Sequence, residues 1–127
     1  MSARKAFVVS SALVVAMLGT APSAHAQADV MTKRGKMLWT NRGCGACHGI
    51  GKKMAGPDLA GLEQRRSREW INKWLKETDS MIASDSTAMA LVAEWKGIRM
   101  PQQTITDQDV ESLLNYLRAE EDRLAKK

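Results

Sequence analysis

The chain has 127 residues, a length that predicts one domain, and a formal net charge of +5. Its sequence contains no internal repeat, low-complexity tract or interdomain linker. Basic residues collect at positions 33–53, which hold no acid, but no nucleic-acid recognition motif accompanies them. These properties argue against a multidomain protein and against a nucleic-acid partner.

The first 26 residues are predicted to be a secretory signal peptide. Two basic residues precede an apolar stretch at 6–19, and Ala24-His25-Ala26 fits a small-x-small cleavage site. The apolar stretch is short for a membrane span, although an uncleaved anchor is the alternative. Cleavage after Ala26 would leave residues 27–127 as one domain, exported to the periplasm and without a stable membrane span.

Residues 29–40 are predicted to form the first helix. Met31, Gly35, Leu38 and Trp39 fall on one apolar stripe at helical spacing. A glycine in the middle of a helix costs about 1 kcal/mol relative to alanine. Gly35 therefore indicates a place where another helix packs closely against the first.

The most informative stretch is Cys44-Gly45-Ala46-Cys47-His48. Two cysteines three positions apart, followed at once by histidine, form the attachment pattern of a c-type haem. The two thiols would add across the haem vinyl groups, and His48 would supply an imidazole nitrogen to the iron. Gly45 and Ala46 are small, which predicts a close approach of the backbone to the porphyrin.

Three other chemistries use a similar cysteine pair. A redox-active dithiol belongs at the start of a helix in a β-rich setting, which this sequence does not indicate. A structural zinc ion normally takes four ligands, and the fourth could come only from His25 in the predicted signal. A disulfide between the two cysteines would close a very small loop. Covalent haem is the favoured interpretation.

The loop that follows strengthens this interpretation. Together with the haem-attachment motif, the stretch Gly56-Pro57-Asp58-Leu59-Ala60-Gly61-Leu62 resembles the class I cytochromes c. The resemblance implies an all-α fold, a small domain of about four helices wrapped around one covalently attached haem, with crossed N- and C-terminal helices. The family's matching leucines pack on the haem, which points to Leu59 and Leu62.

The resemblance also implies roles for polar groups near the haem. In the family, the carbonyl of the proline that matches Pro57 accepts a hydrogen bond from the proximal histidine, which would orient His48 as an iron ligand. In some members a basic residue just beyond the loop interacts with a haem propionate. Arg65 occupies the matching position, and Arg66 is the near alternative.

Three more helices are predicted after this loop. One begins at the serine cap Ser67 and reaches about Lys76, residues 78–84 form a connection, and the next helix runs from near 84–86 to Gly97. Thr106 caps the last helix. Their apolar faces are Trp70, Ile71, Trp74 and Leu75, then Ala88, Leu91, Val92 and Trp95, then Val110, Leu113, Leu114 and Leu117. One of the two indoles of the first face is expected to reach a propionate.

A thioether is predicted as the second iron ligand. Met81 and Met100 both lie in predicted connections, where a ligand is free to reach the iron, whereas Met89 lies in a helix and is interpreted as core. Met100 is preferred because Pro101 restricts it to extended conformations and because the resembling family carries its ligand methionine there. Met81, or an open site, is the alternative.

These expectations favour a soluble monohaem c-type cytochrome that transfers single electrons between redox partners in the cell envelope. No catalytic base and nucleophile pair is recognised after residue 26, so no enzyme activity is predicted. A permanently docked haem subunit of a dehydrogenase or reductase is the alternative, and a ligand-binding or peroxidase-like haem protein comes next. The basic residues predict acidic redox partners. So small a domain is also expected to fold poorly without its haem.

Overall fold

The computed structural model describes residues 23–127. Most of the predicted signal peptide lies outside these residues, and its cleavage site falls in the first turn of the first helix. The described chain forms seven helices and no strand, with the bounds α1 Ala24–Asn41, α2 Cys44–Cys47, α3 Leu62–Arg65, α4 Arg68–Lys76, α5 Thr78–Ser84, α6 Ser86–Glu94 and α7 Asp107–Ala125. The predicted all-α fold is confirmed. The helix count exceeds four because α2 and α3 are single turns and α5 was not predicted.

The two longest helices, α1 and α7, cross where Gly35 faces the backbone of α7. A Cβ atom at Gly35 would lie 1.9 Å from the Ser112 carbonyl oxygen and 2.7 Å from the Tyr116 Cβ, so only glycine permits this separation. Beside the crossing, the Trp39 and Tyr116 rings pack with their centroids 5.8 Å apart. The predicted crossing of first and last helices is confirmed, with Ser112 as an additional contact.

Helix α7 supplies most of the buried core. Val110, Leu113, Leu114 and Leu117 are buried, as their helical spacing predicts. Ile71 of α4 joins this cluster, and partly buried side chains from α1 and the loop before α3 pack around it. The core thus lies between the crossed helices and α4, on the side of the molecule that carries the cysteine motif.

The start of α7 is fixed by a capping box. The Thr106 hydroxyl accepts a hydrogen bond from the Asp109 backbone N–H, and the Asp109 carboxylate accepts one from the Thr106 backbone N–H. Arg34 of α1 also donates to Asp109, at 2.6 Å. The backbone hydrogen bond from Thr106, followed by that from Arg34, lowers the pKa of the Asp109 carboxyl to about 2. One carboxylate therefore caps α7 and ties it to α1.

The prediction that residues 78–84 form a connection was wrong. They form α5, in which Thr78 and Met81 are buried one turn apart. Seven residues offer too few apolar positions to show a helical period, so packing of these two side chains decides the structure. Helix α6 follows directly, capped by the Asp85 side chain.

Helix α6 ends with a chain reversal. Lys96 and Gly97 both have left-handed backbone angles, with φ of 55° and 83°, and the predicted glycine at this end is confirmed. On the same helix, Met89 is 47% exposed, so its assignment to the core was wrong. Within residues 23–127, no helix combines the length and the apolar character that a membrane crossing requires.

Candidate haem site

The cysteine motif forms one helical turn at the end of α1. Gly43, with φ of 68°, turns the chain out of α1 and begins α2. The His48 backbone N–H then donates to the Cys44 carbonyl at 3.0 Å, which closes the turn. Cys44 and Cys47 are both free thiols, and burial raises the pKa of the Cys44 thiol. No group of three or more His, Cys, Asp or Glu side chains positioned to hold a metal ion occurs in the described part of the chain.

The small residue Gly45 has a different role from the one predicted. A Cβ atom there would lie 2.7 Å from the indole nitrogen of Trp39, so glycine permits contact with α1. Gly45 does not line the cavity beside the motif, whereas the flanking Cys44 and Cys47 do. The small size of Gly45 therefore serves the packing of α2 against α1, not the predicted approach of the backbone to the porphyrin.

The loop after His48 is fastened to the motif by backbone hydrogen bonds. The Gly56 N–H donates to the Cys47 carbonyl at 2.7 Å, and the Leu59 N–H donates to the Gly49 carbonyl at 3.0 Å. The Asp58 carboxylate accepts hydrogen bonds from two further backbone N–H groups, at Gly51 and Ala60. Because both ends of the loop are held, Pro57 is fixed next to the histidine.

His48 is oriented by this loop. Its Nδ1 atom lies 2.9 Å from the Pro57 carbonyl oxygen. A carbonyl only accepts, so the proton must be on Nδ1, which leaves the Nε2 lone pair for a metal. A Cβ atom at Gly56 would lie 2.8 Å from His48 Cε1 and 3.0 Å from Nδ1. Gly56 is therefore the residue that makes room for the imidazole ring.

One cavity of about 250 Å³ is lined by all the residues that the sequence predicts for the haem site. Its other walls include apolar side chains of α4, α6 and α7, among them every residue of the three predicted apolar faces except Ala88. The eight predicted residues that line it are Cys44, Cys47, His48, Pro57, Leu59, Leu62, Arg65 and Met100.

Four arginines line this cavity, and the two that the sequence suggests as propionate partners, Arg65 and Arg66, are both engaged with the chain itself. Arg65 donates to the carbonyl oxygens of Ala60 and Asp58, at 2.5 and 2.8 Å. The Arg66 guanidinium lies over the Trp70 ring, 5.4 Å from its centroid. Arg65 thus braces the loop that carries Pro57, and its role toward a propionate stays a prediction.

Met100 is the methionine that the structure brings to the cavity. Its sulfur accepts a hydrogen bond from the indole N–H of Trp74, at 3.2 Å. Met81, the alternative ligand, is 2% exposed within α5 and does not line the cavity. Among residues 23–127, the other methionines also lie away from it.

Three of the four tryptophans that line the cavity differ in what their indole N–H groups contact. The Trp70 N–H donates to Asp85 at 3.4 Å and the Trp74 N–H to Met100, so neither of the two expected propionate donors is free. The Trp95 N–H is buried and has no partner among the described residues. An unsatisfied buried donor in an apolar wall fits a ligand that carries an acceptor, such as a carboxylate.

These features fit a covalently attached haem. Two free thiols, an imidazole with its outer nitrogen already engaged, a thioether and an unpaired donor surround one apolar space. Sequence reasoning missed Trp95 as a donor, Trp74 as the partner of Met100 and Gly56 as the spacer for His48. The contact between Trp74 and Met100 depends on the path of the chain between α6 and α7, for which the sequence holds no periodic signal.

The fold and the site together define a small all-α haem protein. The sequence model of the family described as cytochrome c matches residues 32–120. Among solved structures, a cytochrome c from Rhodothermus marinus is 23% identical with a TM-score of 0.68, over 82% of this chain and 88% of its own. The cytochrome c domain of a Pseudomonas putida protein is 33% identical with a TM-score of 0.62, over 72% of this chain and 92% of its own.

An engineered Rhodothermus marinus cytochrome c bound to a carbene intermediate is 22% identical with a TM-score of 0.61, over 84% of this chain and 88% of its own. A search of curated proteins finds no match. The chain belongs to the cytochrome c family. It is a haem electron-transfer protein, and its cofactor is a covalently bound haem c with iron, for which Cys44 and Cys47 stand in the attachment positions.

Proposed function

We propose that this chain is a diffusible monohaem carrier of single electrons in the cell envelope, with His48 and Met100 as the two iron ligands and with no catalytic reaction of its own. The observation that carries the proposal is that both side chains line one apolar cavity together with the two attachment cysteines. With His48 and Met100 both bound to the iron, no place would be left there for a substrate. Electron transfer then needs nothing beyond the haem and its surroundings.

The arrangement of the two candidate ligands supports this function. The haem supplies a reversible one-electron couple at its iron. Pro57 holds His48 through Nδ1, which makes Nε2 a better donor and keeps the ring in one orientation. The Met100 thioether, a weak donor, favours the ferrous form and a higher potential. Apolar walls exclude water, so little solvent has to reorganise when the charge changes.

Attachment through Cys44 and Cys47 also follows from the geometry. Both sulfurs belong to one helical turn and line the same cavity as His48. A group joined to the chain at two points next to its ligand cannot dissociate during redox cycling.

The test is the visible spectrum of the ferrous protein before and after carbon monoxide, for the wild type and for Met100→Ala. The wild type is expected to be low-spin and unchanged by the gas, whereas the variant binds it. Met81→Leu is the matched control: it removes the other candidate thioether, keeps the buried volume in α5, and should behave as the wild type. A wild-type protein that binds carbon monoxide readily would show an open distal site, and a ligand-binding haem protein would replace the carrier.

The surroundings of the cavity support an acidic redox partner. The charged side chains that line it are four arginines and a single acid, Asp58. We call the arginines the basic rim, Arg42, Arg65, Arg66 and Arg99. Of the basic segment 33–53, only Arg42 belongs to this rim. Electron exchange with an acidic partner should slow as salt is added, and a rate that salt leaves unchanged would contradict this docking face.

We propose the periplasm as the location of the mature chain, supported by the signal-like residues 1–26 and by the haem, whose attachment cysteines need protection from oxidation after export. N-terminal sequencing of the protein from its native host should give Gln27 as the first residue. A protein that still begins with residues of the predicted signal would contradict cleavage.

A further inference from the structure

We infer that Trp74 is a positioning residue for the iron ligand Met100: its indole N–H binds one lone pair of the sulfur, fixes the direction of the other lone pair, and shifts the haem toward the ferrous form. This inference rests on the proposed function, since it takes Met100 as the ligand. It adds a residue and a role that the cytochrome c fold alone does not require. Its basis is the contact between α4 and the segment before α7.

The geometry of the contact is that of a directed hydrogen bond. The Trp74 Nε1 and Met100 Sδ atoms lie 3.2 Å apart, within the range for a donor on sulfur. Both side chains are half-buried in an apolar wall, so water competes little for either group. A thioether sulfur has two lone pairs, and one suffices for a metal. The N–H and the iron can therefore bind the same sulfur at once.

Trp74 is itself held in place on two sides. Its ring stacks on Trp70 with a centroid distance of 5.3 Å and an interplanar angle of 13°. Its backbone carbonyl accepts a hydrogen bond from the buried Thr78 hydroxyl at 2.6 Å. The Arg66 guanidinium also lies over the Trp70 ring. A donor fixed in this way directs the flexible methionine side chain, rather than following it.

The chemical consequence concerns the two oxidation states of the iron. A hydrogen bond to the sulfur draws electron density away from it, which weakens its donation to ferric iron more than to ferrous iron. The contact thus stabilises the reduced form relative to the oxidised form. The bond is made in both oxidation states, so only the difference in its strength shifts the reduction equilibrium; since a whole hydrogen bond contributes about 1 kcal/mol, the shift is at most about fivefold.

The experiment compares the holoproteins Trp74→Phe and Trp70→Phe with the wild type. Both variants remove an indole N–H from the same stack on the same helix, but only Trp74 donates to Met100, because the Trp70 N–H goes to Asp85. Three quantities are measured: the reduction equilibrium, the weak long-wavelength absorption of a ferric iron–thioether bond, and the rate at which added imidazole displaces the sulfur.

Trp74→Phe is expected to shift the reduction equilibrium toward the ferric form by up to about fivefold, to move the thioether band, and to speed displacement by imidazole. Trp70→Phe should leave the thioether band in place and shift the equilibrium less. Equal values for the two variants would overturn the inference while leaving Met100 as the ligand. A wild-type protein without the thioether band would overturn Met100 ligation itself.

A measurement on the wild type covers the case in which Trp74→Phe fails to fold. In the diamagnetic ferrous holoprotein, the Trp74 indole proton should exchange slowly with solvent and show a nuclear Overhauser effect to the Met100 methyl group. Rapid exchange, or an indole proton with no contact to that methyl group, would contradict the inference without any substitution.

Discussion

At residue 56 the absence of a side chain decides where the His48 imidazole can lie. Glycine is needed there because His48 occupies the space that a Cβ atom would fill, and the Gly56 N–H is also bound to the Cys47 carbonyl. The hydrogen bond from His48 to Pro57 and the fit of the ring against Gly56 are thus parts of one arrangement. The Nε2 nitrogen, which we propose as the iron ligand, is positioned by contacts at the Nδ1 and Cε1 atoms of the same ring.

We expect Gly56→Ala to displace the His48 ring and to destabilise the holoprotein by about 1–3 kcal/mol, since the added methyl group overpacks a site fixed on both sides. Urea unfolding measures the loss of stability, and the His48 ring resonances of the ferrous protein report the displacement. Gly61→Ala is the control. Its φ of 65° makes alanine strained, and its Cβ would meet the flexible end of Gln64, not the imidazole. Unmoved His48 resonances in Gly56→Ala would refute the role of this glycine.

Residue patterns predicted the residues that carry the chemistry of the site better than they predicted the side chains in contact with those residues. The spacing of Cys44, Cys47 and His48 is local, so one segment of sequence carries the whole signal. By contrast, the donor for Met100 comes from a helix 26 residues earlier, and nothing in the sequence near either residue indicates that pairing. Contacts between distant segments depend on the path of the backbone, which propensity and periodicity do not specify.

At the scale of elements, α7 and α1 are joined by the carboxylate of Asp109, which is only 7% exposed. Its pKa in the folded chain, about 2, lies below the ordinary value of an aspartate. The carboxylate therefore stabilises the fold at every pH above the ordinary value. This contribution is lost as the pH falls from about 4 toward about 2, where the folded chain also takes up the proton.

Asp109→Asn is expected to lower the free energy of unfolding by about 1–2 kcal/mol at pH 6, because it weakens the cap of α7 and the bond to Arg34. The difference from the wild type should shrink as the pH falls below 4. Urea unfolding of both holoproteins between pH 6 and pH 2.5 measures it. Asp122→Asn, at an exposed position near the other end of α7, is the control. A difference that stays constant over this range would show that the charge of Asp109 is not its basis.

Predictability at the element scale followed the length of the helices. The long, strongly periodic α7 was predicted with its cap and its buried face, and α4 with its serine cap. Helix α1 begins at Ala24, five residues before its predicted start, because Ser23 caps it where the sequence indicates a cleavage site. Helix α5 was not predicted because two buried side chains within seven residues do not establish a helical period.

At the scale of the whole molecule, part of the buried core also forms the wall of the cavity. The buried cluster Ile71, Val110, Leu114 and Leu117 forms part of the cavity wall. A haem held in this cavity would therefore be a component of the core. A protein of this size has only about 5–15 kcal/mol of stability to lose.

Removal of the haem is expected to abolish cooperative unfolding and to reduce the helix content. The double variant Cys44→Ser/Cys47→Ser, which cannot attach haem, tests this by circular dichroism during urea titration. The wild-type chain prepared without haem is the control and should behave in the same way, which separates loss of the cofactor from loss of the thiols. A haem-free chain with a sharp native-like transition would show that the helices pack independently.

The left-handed backbone at Lys96 and Gly97 affects how many residues the following segment can gain or lose. Beyond Met100, the Gln103 N–H donates to the Leu75 carbonyl at 2.8 Å, so the segment between Gly97 and Gln103 is anchored at both ends. Each residue of extended chain spans about 3.3–3.6 Å. A single inserted or deleted residue here would move the thioether by more than a bond length, whereas the same change outside the anchors would leave it where it is. The position of the Met100 sulfur therefore depends on the number of residues between Gly97 and Gln103.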